Sequence, residues 1–257
     1  MKSIELFAGI GGISLAAQWA GIETVAFCEK ESFCQKVLKK NWPNVPIFDD
    51  ICTLNRQVLE EKGVIQQGGT IDIISGGYPC QPFSNPGKRR GEADHNYLWP
   101  EVKRLLEELR PTWFIGENVA GHITLGLDTV LHDLENIGYS WQSFVIPAAA
   151  VGANHERFRV FIVAYSNSKS EFQTDSEISS VGEKRKAWKG ASCGIRREIS
   201  RTHWQTYRSP VCGMDDGIPK GLDKSRLIAL GNAVVPQQIY PILNCIKVMD
   251  KTTFLNK

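Results

Sequence analysis

The sequence predicts an α/β protein built on a doubly wound, mostly parallel sheet, and three observations carry that prediction. Short apolar runs alternate with longer amphipathic segments from the first residues to about Ser166. Two of those runs, Ile71–Ser75 and Trp113–Ile115, are apolar throughout, as strands buried on both faces are. The first run opens directly into a glycine-rich turn. Strand–helix alternation covers each strand with a crossover helix, which makes neighbouring strands parallel.

The elements follow in order. Ile4–Phe7 reads as the first strand, then glycine punctuation and a helix through Trp19. Thr24–Cys28 is a second strand, Ser32–Lys40 a helix, and Asp50 in IFDDI closes a third strand. After Ile71–Ser75 comes Tyr97–Leu109, where Leu98, Val102, Leu105, Leu106 and Leu109 recur at helical spacing. Trp113–Ile115, Tyr139–Ile146 and Val160–Ala164 supply further strands. Composition then changes. Residues 166–180 are polar and lack apolar periodicity, and from Val181 to Arg208 eight basic residues face two acids, with Trp188, Trp204 and Tyr207 interleaved. These shifts divide the chain into a catalytic and cofactor-binding α/β domain at 1–166, a small inserted region at 167–210, and a return segment with a final helix at 211–257.

Bulk properties narrow the function classes. A chain of 257 residues holds one substantial α/β domain with a modest appendage. The formal net charge of +2 does not by itself point to nucleic acid, so any such inference rests on local clustering. Seven scattered cysteines without a C-x-x-C pair argue against a disulfide framework or a zinc site and suit a reducing cytosol. MKSIELF lacks a signal-peptide core, and no apolar run nears the roughly 20 residues of a membrane span. The expectation is a soluble, cytoplasmic protein with no metal.

Chemistry concentrates at the predicted strand ends. Gly9, Gly11 and Gly12 at a strand-to-helix turn let a ligand approach the backbone. Glu29, twenty residues beyond Gly9, stands where nucleotide-type folds place a carboxylate for ribose hydroxyls. Asp50 would lie near enough to meet an adenine amino group, and the turn lacks strict G-x-G-x-x-G spacing, so a nucleoside is favoured over a dinucleotide. Helix N-caps are the plainer alternative for Glu29 and Asp50 taken singly. In GGYPCQPFS, Pro79 and Pro82 fix φ on either side of Cys80 and so aim its thiol. Glu117 in GENVAG ends at the same sheet edge, where burial would raise its pKa and make it a proton donor. Asn118 is the better candidate there for a structural hydrogen bond. Arg157 and Arg159 precede another strand at a spacing that points both to one face. The polar, basic stretch 84–96 is composed as a mobile loop.

Taken together, ELFAGIGG, DDI, GGYPCQPFS, GENV, RFR and GNAVVP resemble the bacterial and phage cytosine-C5 DNA methyltransferases. The resemblance covers most of the chain outside 167–210. It implies a Rossmann-like methyltransferase fold that takes S-adenosyl-L-methionine and releases S-adenosyl-L-homocysteine. It implies cofactor contacts from Phe7, Gly9, Ile10, Gly11, Gly12, Glu29, Asp50, Ile51, Pro79, Asn232 and Val234. Cys80 is then the nucleophile and Glu117 the acid at cytosine N3, with Arg159 and Arg157 near the target base. Contacts to duplex DNA are expected from Gln81, Ser84, Lys88, Arg89, Arg90, Asn118, Arg196 and Arg197, with 167–210 as a reduced target-recognition region. A monomer working beside a cognate restriction endonuclease is the implied setting. The sequence departs from the pattern at His155, where Gln is usual, and at Tyr78, a small change from a common Phe. Competing readings are an RNA cytosine-C5 methyltransferase of the same fold, a catalytically dead DNA-binding relative, and a nucleotide-binding oxidoreductase. The first is separated by offering tRNA and duplex DNA, the second by a Cys80→Ala comparison, the third by testing NAD against S-adenosylmethionine.

Overall fold

A computed structural model of the chain describes residues 1–79, 97–169 and 224–255. Among them a seven-stranded sheet is formed by β1 (Lys2–Leu6), β2 (Glu23–Cys28), β3 (Ile47–Phe48), β4 (Ile73–Gly76), β5 (Trp113–Val119), β6 (Tyr139–Ile146) and β7 (Arg159–Ser166). The helices are α1 (Gly12–Trp19), α2 (Ser32–Asn41), α3 (Arg56–Glu61), α4 (Trp99–Leu109), α5 (Leu127–Asn136), α6 (Lys224–Asn232) and α7 (Pro236–Leu255). No helix among the described residues is long and apolar enough to cross a membrane.

The strand order is β3-β2-β1-β4-β5-β7-β6. The first five strands in that order are parallel, while β7 runs antiparallel to both β5 and β6. Winding reverses between β1 and β4, which pair in register from Ser3↔Ile73 to Leu6↔Gly76. That switch point opens a crevice at the carboxyl ends, where open α/β sheets take ligands. It sets the turn after Leu6 beside the exit from Gly76.

Both faces of the sheet are covered. One core packs Ile4, Leu6, Ile74 and Phe114 against Leu105, Leu106 and Leu109 of α4 and Val130 and Leu134 of α5. The other sets Ile73, Ile115 and Phe161 against Ile13, Ala16 and Ala17 of α1 and Ile239, Leu243 and Ile246 of α7. Alternation along β1 therefore points Ser3 and Glu5 at α1. Glu5 is fully buried there and accepts from the Ser14 amide at 2.9 Å and from the Ser14 hydroxyl. Thr24 donates to Ser14 Oγ at 3.0 Å and lies 3.3 Å from Ser3 Oγ, so the buried polar groups satisfy one another. Burial pushes the Glu5 carboxyl up to about 7.

The structure differs from expectation in several places. β5 does not stop at Ile115 but runs to Val119, because antiparallel pairing with β7 continues through Glu117↔Phe161 and Val119↔Arg159. Glu117 and Asn118 therefore stand within a strand and not in a loop after it. The strand expected from Ile71 begins at Ile73. Helices α3 and α5 have no counterpart in the sequence-based reading.

Candidate functional site

The glycine turn is built at the end of β1. Phe7 and Gly9 both sit at left-handed φ, 51° and 53°, and the space where a Gly9 Cβ would stand is open. Ile10 and Gly11 carry the turn into α1. Gly12 serves a different need: a Cβ there would lie 2.5 Å from the carbonyl oxygen of Val234. The return segment between α6 and α7 thus packs directly on the turn, and Asn232 ends α6 exposed just before it.

Glu29 follows β2, and its carboxylate accepts from the amides of Gly9 (2.6 Å) and Glu31 (2.8 Å). It stiffens the glycine turn as well as standing beside it. Asp50 follows β3 and accepts from the Cys52 amide at 2.9 Å, a bond that holds its carboxyl below the usual range. Neither acid is an N-cap of an α-helix: α2 is preceded by Glu31 and α3 is capped by Asn55. Ile51 is a core residue, 3% exposed, whose carbonyl accepts from Arg104.

The exit from β4 is the second wall. A Cβ on Gly77 would meet Glu117 Oε2 at 2.8 Å, so glycine lets this strand exit lie against that carboxylate without displacing it. Cys80, with Gln81, Ser84, Lys88, Arg89 and Arg90, lies outside the described residues, as do Arg196 and Arg197 and the inserted region beyond Lys169. Pro79 is the last residue described before Cys80.

Glu117 and Arg159 form a 2.7 Å ion pair in which both side chains are largely buried. Burial pushes the Glu117 carboxyl up, against the pull of the Arg159 and, less, the Arg157 guanidinium. Desolvation wins because the pair has little water to share. The result is a carboxyl able to hold a proton closer to neutrality.

The two arginines do not share a face. Arg159 opens β7 and turns to Glu117, whereas Arg157 lies before the strand at φ 31°. Its Nη2 donates to the carbonyls of Gly231 (2.7 Å) and Ala233 (2.5 Å). Arg157 thereby clasps the return segment. Asn118 makes the structural hydrogen bonds that its position suggested. It is buried, donates from Nδ2 to the Tyr78 carbonyl at 2.9 Å and accepts from the Val119 amide. Gln238, unremarked in the sequence, completes the clasp: fully buried at the start of α7, it donates to the carbonyls of Ile146 (2.6 Å) and Arg157 (3.0 Å). A glutamine in an amphipathic helix reads as solvent-facing, so nothing in the pattern would have found it.

A glycine turn at the switch point beside a buried carboxyl–guanidinium pair defines a doubly wound α/β protein whose candidate site lies on the carboxyl edge of its sheet. The chain belongs to the C-5 cytosine-specific DNA methylase family, whose model matches residues 1–207. It is 31% identical over 243 residues to the type II methyltransferase M.CviJI of Paramecium bursaria Chlorella virus IL3A, covering 93% of this chain and 57% of the relative. It is 34% identical over 168 residues to the type II methyltransferase M.AgeI of Thalassovita gelatinovora, covering 63% and 39%. Among solved structures it resembles a DNMT2 variant from Spodoptera frugiperda with a TM-score of 0.55 at 26% identity, over 66% of this chain and 51% of that one. The chain spans about half the length of these relatives.

Proposed function

We propose that the protein is a DNA cytosine-C5 methyltransferase that uses S-adenosyl-L-methionine and Cys80 as nucleophile. The observation that carries the reading is the buried Glu117, its carboxylate against Gly77 at the strand exit that leads to Cys80. The open turn at Gly9, the Glu29 carboxylate beside it and the Val234 backbone packed on Gly12 fit a nucleoside-bearing group. Phe7, Gly9, Gly11, Glu29, Asp50 and the return segment would hold it; when bound it supplies an electrophilic methyl group.

The residues explain why such a site is needed. Cytosine C5 is too weak a nucleophile to take a methyl group directly. The Cys80 thiolate adds to C6, breaking the ring's aromaticity and making C5 enamine-like. Glu117 gives its proton to a hydrogen bond at N3 and so offsets the charge that the addition creates. Once C5 carries the methyl group, loss of the C5 proton to a base lets the Cys80–C6 bond break and restores both the ring and the thiolate. Arg159 holds Glu117 in place and, through its guanidinium, marks where the base's polar edge is received. A duplex hides C6, so the cytosine is flipped out at a cost of about a few kcal/mol.

On the same reading Gln81, Ser84, Lys88, Arg89, Arg90, Arg196 and Arg197 contact DNA, with residues 167–210 as the target-recognition region. The enzyme works as a cytoplasmic monomer, paired with a cognate restriction endonuclease. The test offers duplex DNA and tRNA with methyl-labelled S-adenosylmethionine, and follows with bisulfite sequencing of DNA from cells expressing the chain. Label in cytosine C5 of duplex DNA is expected; label in tRNA alone, or in neither polymer, overturns the reading.

A further inference from the structure

Tyr78 is held at both ends by the end of the neighbouring strand β5 and the helical turn, Ala120–Thr124, that follows it. Its carbonyl accepts from Asn118 Nδ2 at 2.9 Å, and its hydroxyl lies 2.9 Å from Nε2 of His122. Tyr78 and His122 are each 3% exposed, so neither end of this arrangement is open to exchange with bulk water. The ring is also fixed in the plane it occupies. It packs on Trp99 with centroids 5.1 Å apart, edge-on to the His122 ring at 5.5 Å, and against the backbone of Gly116.

The hydrogen bonds have one direction. His122 Nδ1 lies 3.1 Å from the Leu125 carbonyl, an atom that can only accept, so Nδ1 carries the proton. Nε2 of the neutral ring is then an acceptor, and the Tyr78 hydroxyl donates to it. Burial lowers the His122 pKa, which keeps the ring in this neutral form. A segment of the chain that begins at Glu117 and ends at Leu125 therefore specifies both the proton-holding carboxyl and the anchor of the opposite strand exit.

What this anchors is short. From Tyr78 only Pro79 intervenes before Cys80, and proline fixes its own φ and restricts the residue before it. With the carbonyl and the hydroxyl of Tyr78 both pinned, little freedom is left in the backbone that delivers the next residue.

We propose that His122 is a positioning residue that sets, through the Tyr78 hydroxyl, the path by which the chain leaves β4 toward Cys80. The inference rests on the reading of Cys80 as nucleophile. Catalytic rates respond steeply to ångström-scale misplacement of a reacting group, whereas most of the proposed cofactor contacts, Phe7 to Gly12 and Glu29, are built on the ends of β1 and β2 and not on this contact.

The test is a double-mutant cycle. Tyr78→Phe removes one hydroxyl and keeps the ring; His122→Asn keeps a donor near the Nδ1 position for Leu125 and removes the acceptor. Two readouts are taken: steady-state methyl transfer to duplex DNA, and the rate at which iodoacetamide alkylates Cys80, resolved by peptide mass spectrometry. Each single variant is expected to lose about tenfold in kcat, the scale of one hydrogen bond, with KM for S-adenosylmethionine within about twofold. The double variant is expected to lose no more than either single one, because both remove the same contact. Cys80 alkylation is expected to change by about threefold or more in Tyr78→Phe, a variant too mild to unfold the chain. Wild-type kcat and alkylation in Tyr78→Phe, or single losses that multiply in the double variant, overturn the proposal. A wild-type protein that transfers no methyl group removes the functional reading, and the alkylation rates then decide the positioning role alone.

Discussion

Removing the Arg159 guanidinium should make stability depend on pH in a way the wild type does not. Arg159→Met leaves Glu117 buried, 7% exposed, without its 2.7 Å partner. Breaking a buried pair by deleting one ion costs about 3–5 kcal/mol when the other must stay charged. Glu117 has a way out: its carboxyl is already raised by burial, and losing the cation raises it further, with only the more distant Arg157 pulling down. The variant therefore carries Glu117 protonated over a window where the wild type carries it ionised. An acid whose folded pKa lies above its unfolded value contributes stability fully present below the unfolded pKa and lost as pH rises through the folded one. The difference between variant and wild type should be smallest at acid pH. It should grow by about 1.4 kcal/mol per pH unit between the two ionisations, then level off near 3–5 kcal/mol. Urea unfolding from about pH 5 to pH 9 reads this directly, and Arg159→Met/Glu117→Gln should flatten the curve by removing the titrating group. A penalty that is constant across that range, or largest at its acid end, refutes the linkage between Glu117 and Arg159.

Gly12→Ala places a methyl group 2.5 Å from the Val234 carbonyl, where backbone cannot yield cheaply. Overpacking of this kind costs about 1–3 kcal/mol, so S-adenosylhomocysteine affinity by calorimetry should fall about tenfold or more while the fold survives. Glu5, raised from 4.5 to about 7, contributes stability that is complete below pH 4.5 and lost as pH rises through 7. Glu5→Gln should therefore gain about 3 kcal/mol relative to wild type between pH 4 and pH 8 in denaturant titrations, and a flat difference would count against a buried, titrating Glu5. Gln238→Leu removes two hydrogen bonds, to Ile146 and Arg157, and leaves two part-buried carbonyls without this donor. A loss of about 2–3 kcal/mol in unfolding experiments is expected, with weaker S-adenosylhomocysteine binding because the return segment loosens.

The fold was legible where periodicity speaks and the site where residue types repeat a known chemistry. Continuous apolar runs announced β4 and β5, and the heptad-like spacing in Tyr97–Leu109 announced α4, because burial on both faces or one face leaves a direct trace in sequence. β5 was read four residues too short, since Gly116, Glu117 and Asn118 have low strand propensity and are held by pairing with β7, a long-range term no local window contains. The opposite directions of Arg157 and Arg159 were illegible for a related reason. Alternation predicts one face only if both residues lie in the strand, and the positive φ of Arg157 puts it outside. Tyr78 shows the limit most plainly. As a letter it is a modest change from Phe, but its hydroxyl finds a buried histidine 44 residues away.

The central claim is that Cys80 attacks cytosine C6, and one measurement bears on it most directly. Duplex DNA carrying 5-fluorocytosine offers a C5 substituent that cannot leave as a proton, so the Cys80–C6 bond, once made and methylated at C5, cannot be undone. Incubation with S-adenosylmethionine followed by intact-mass and peptide mass spectrometry should show a protein–DNA adduct at Cys80, absent in Cys80→Ala and sharply reduced in Glu117→Gln. An adduct on another residue, or a Cys80→Ala protein that still methylates DNA, would contradict it.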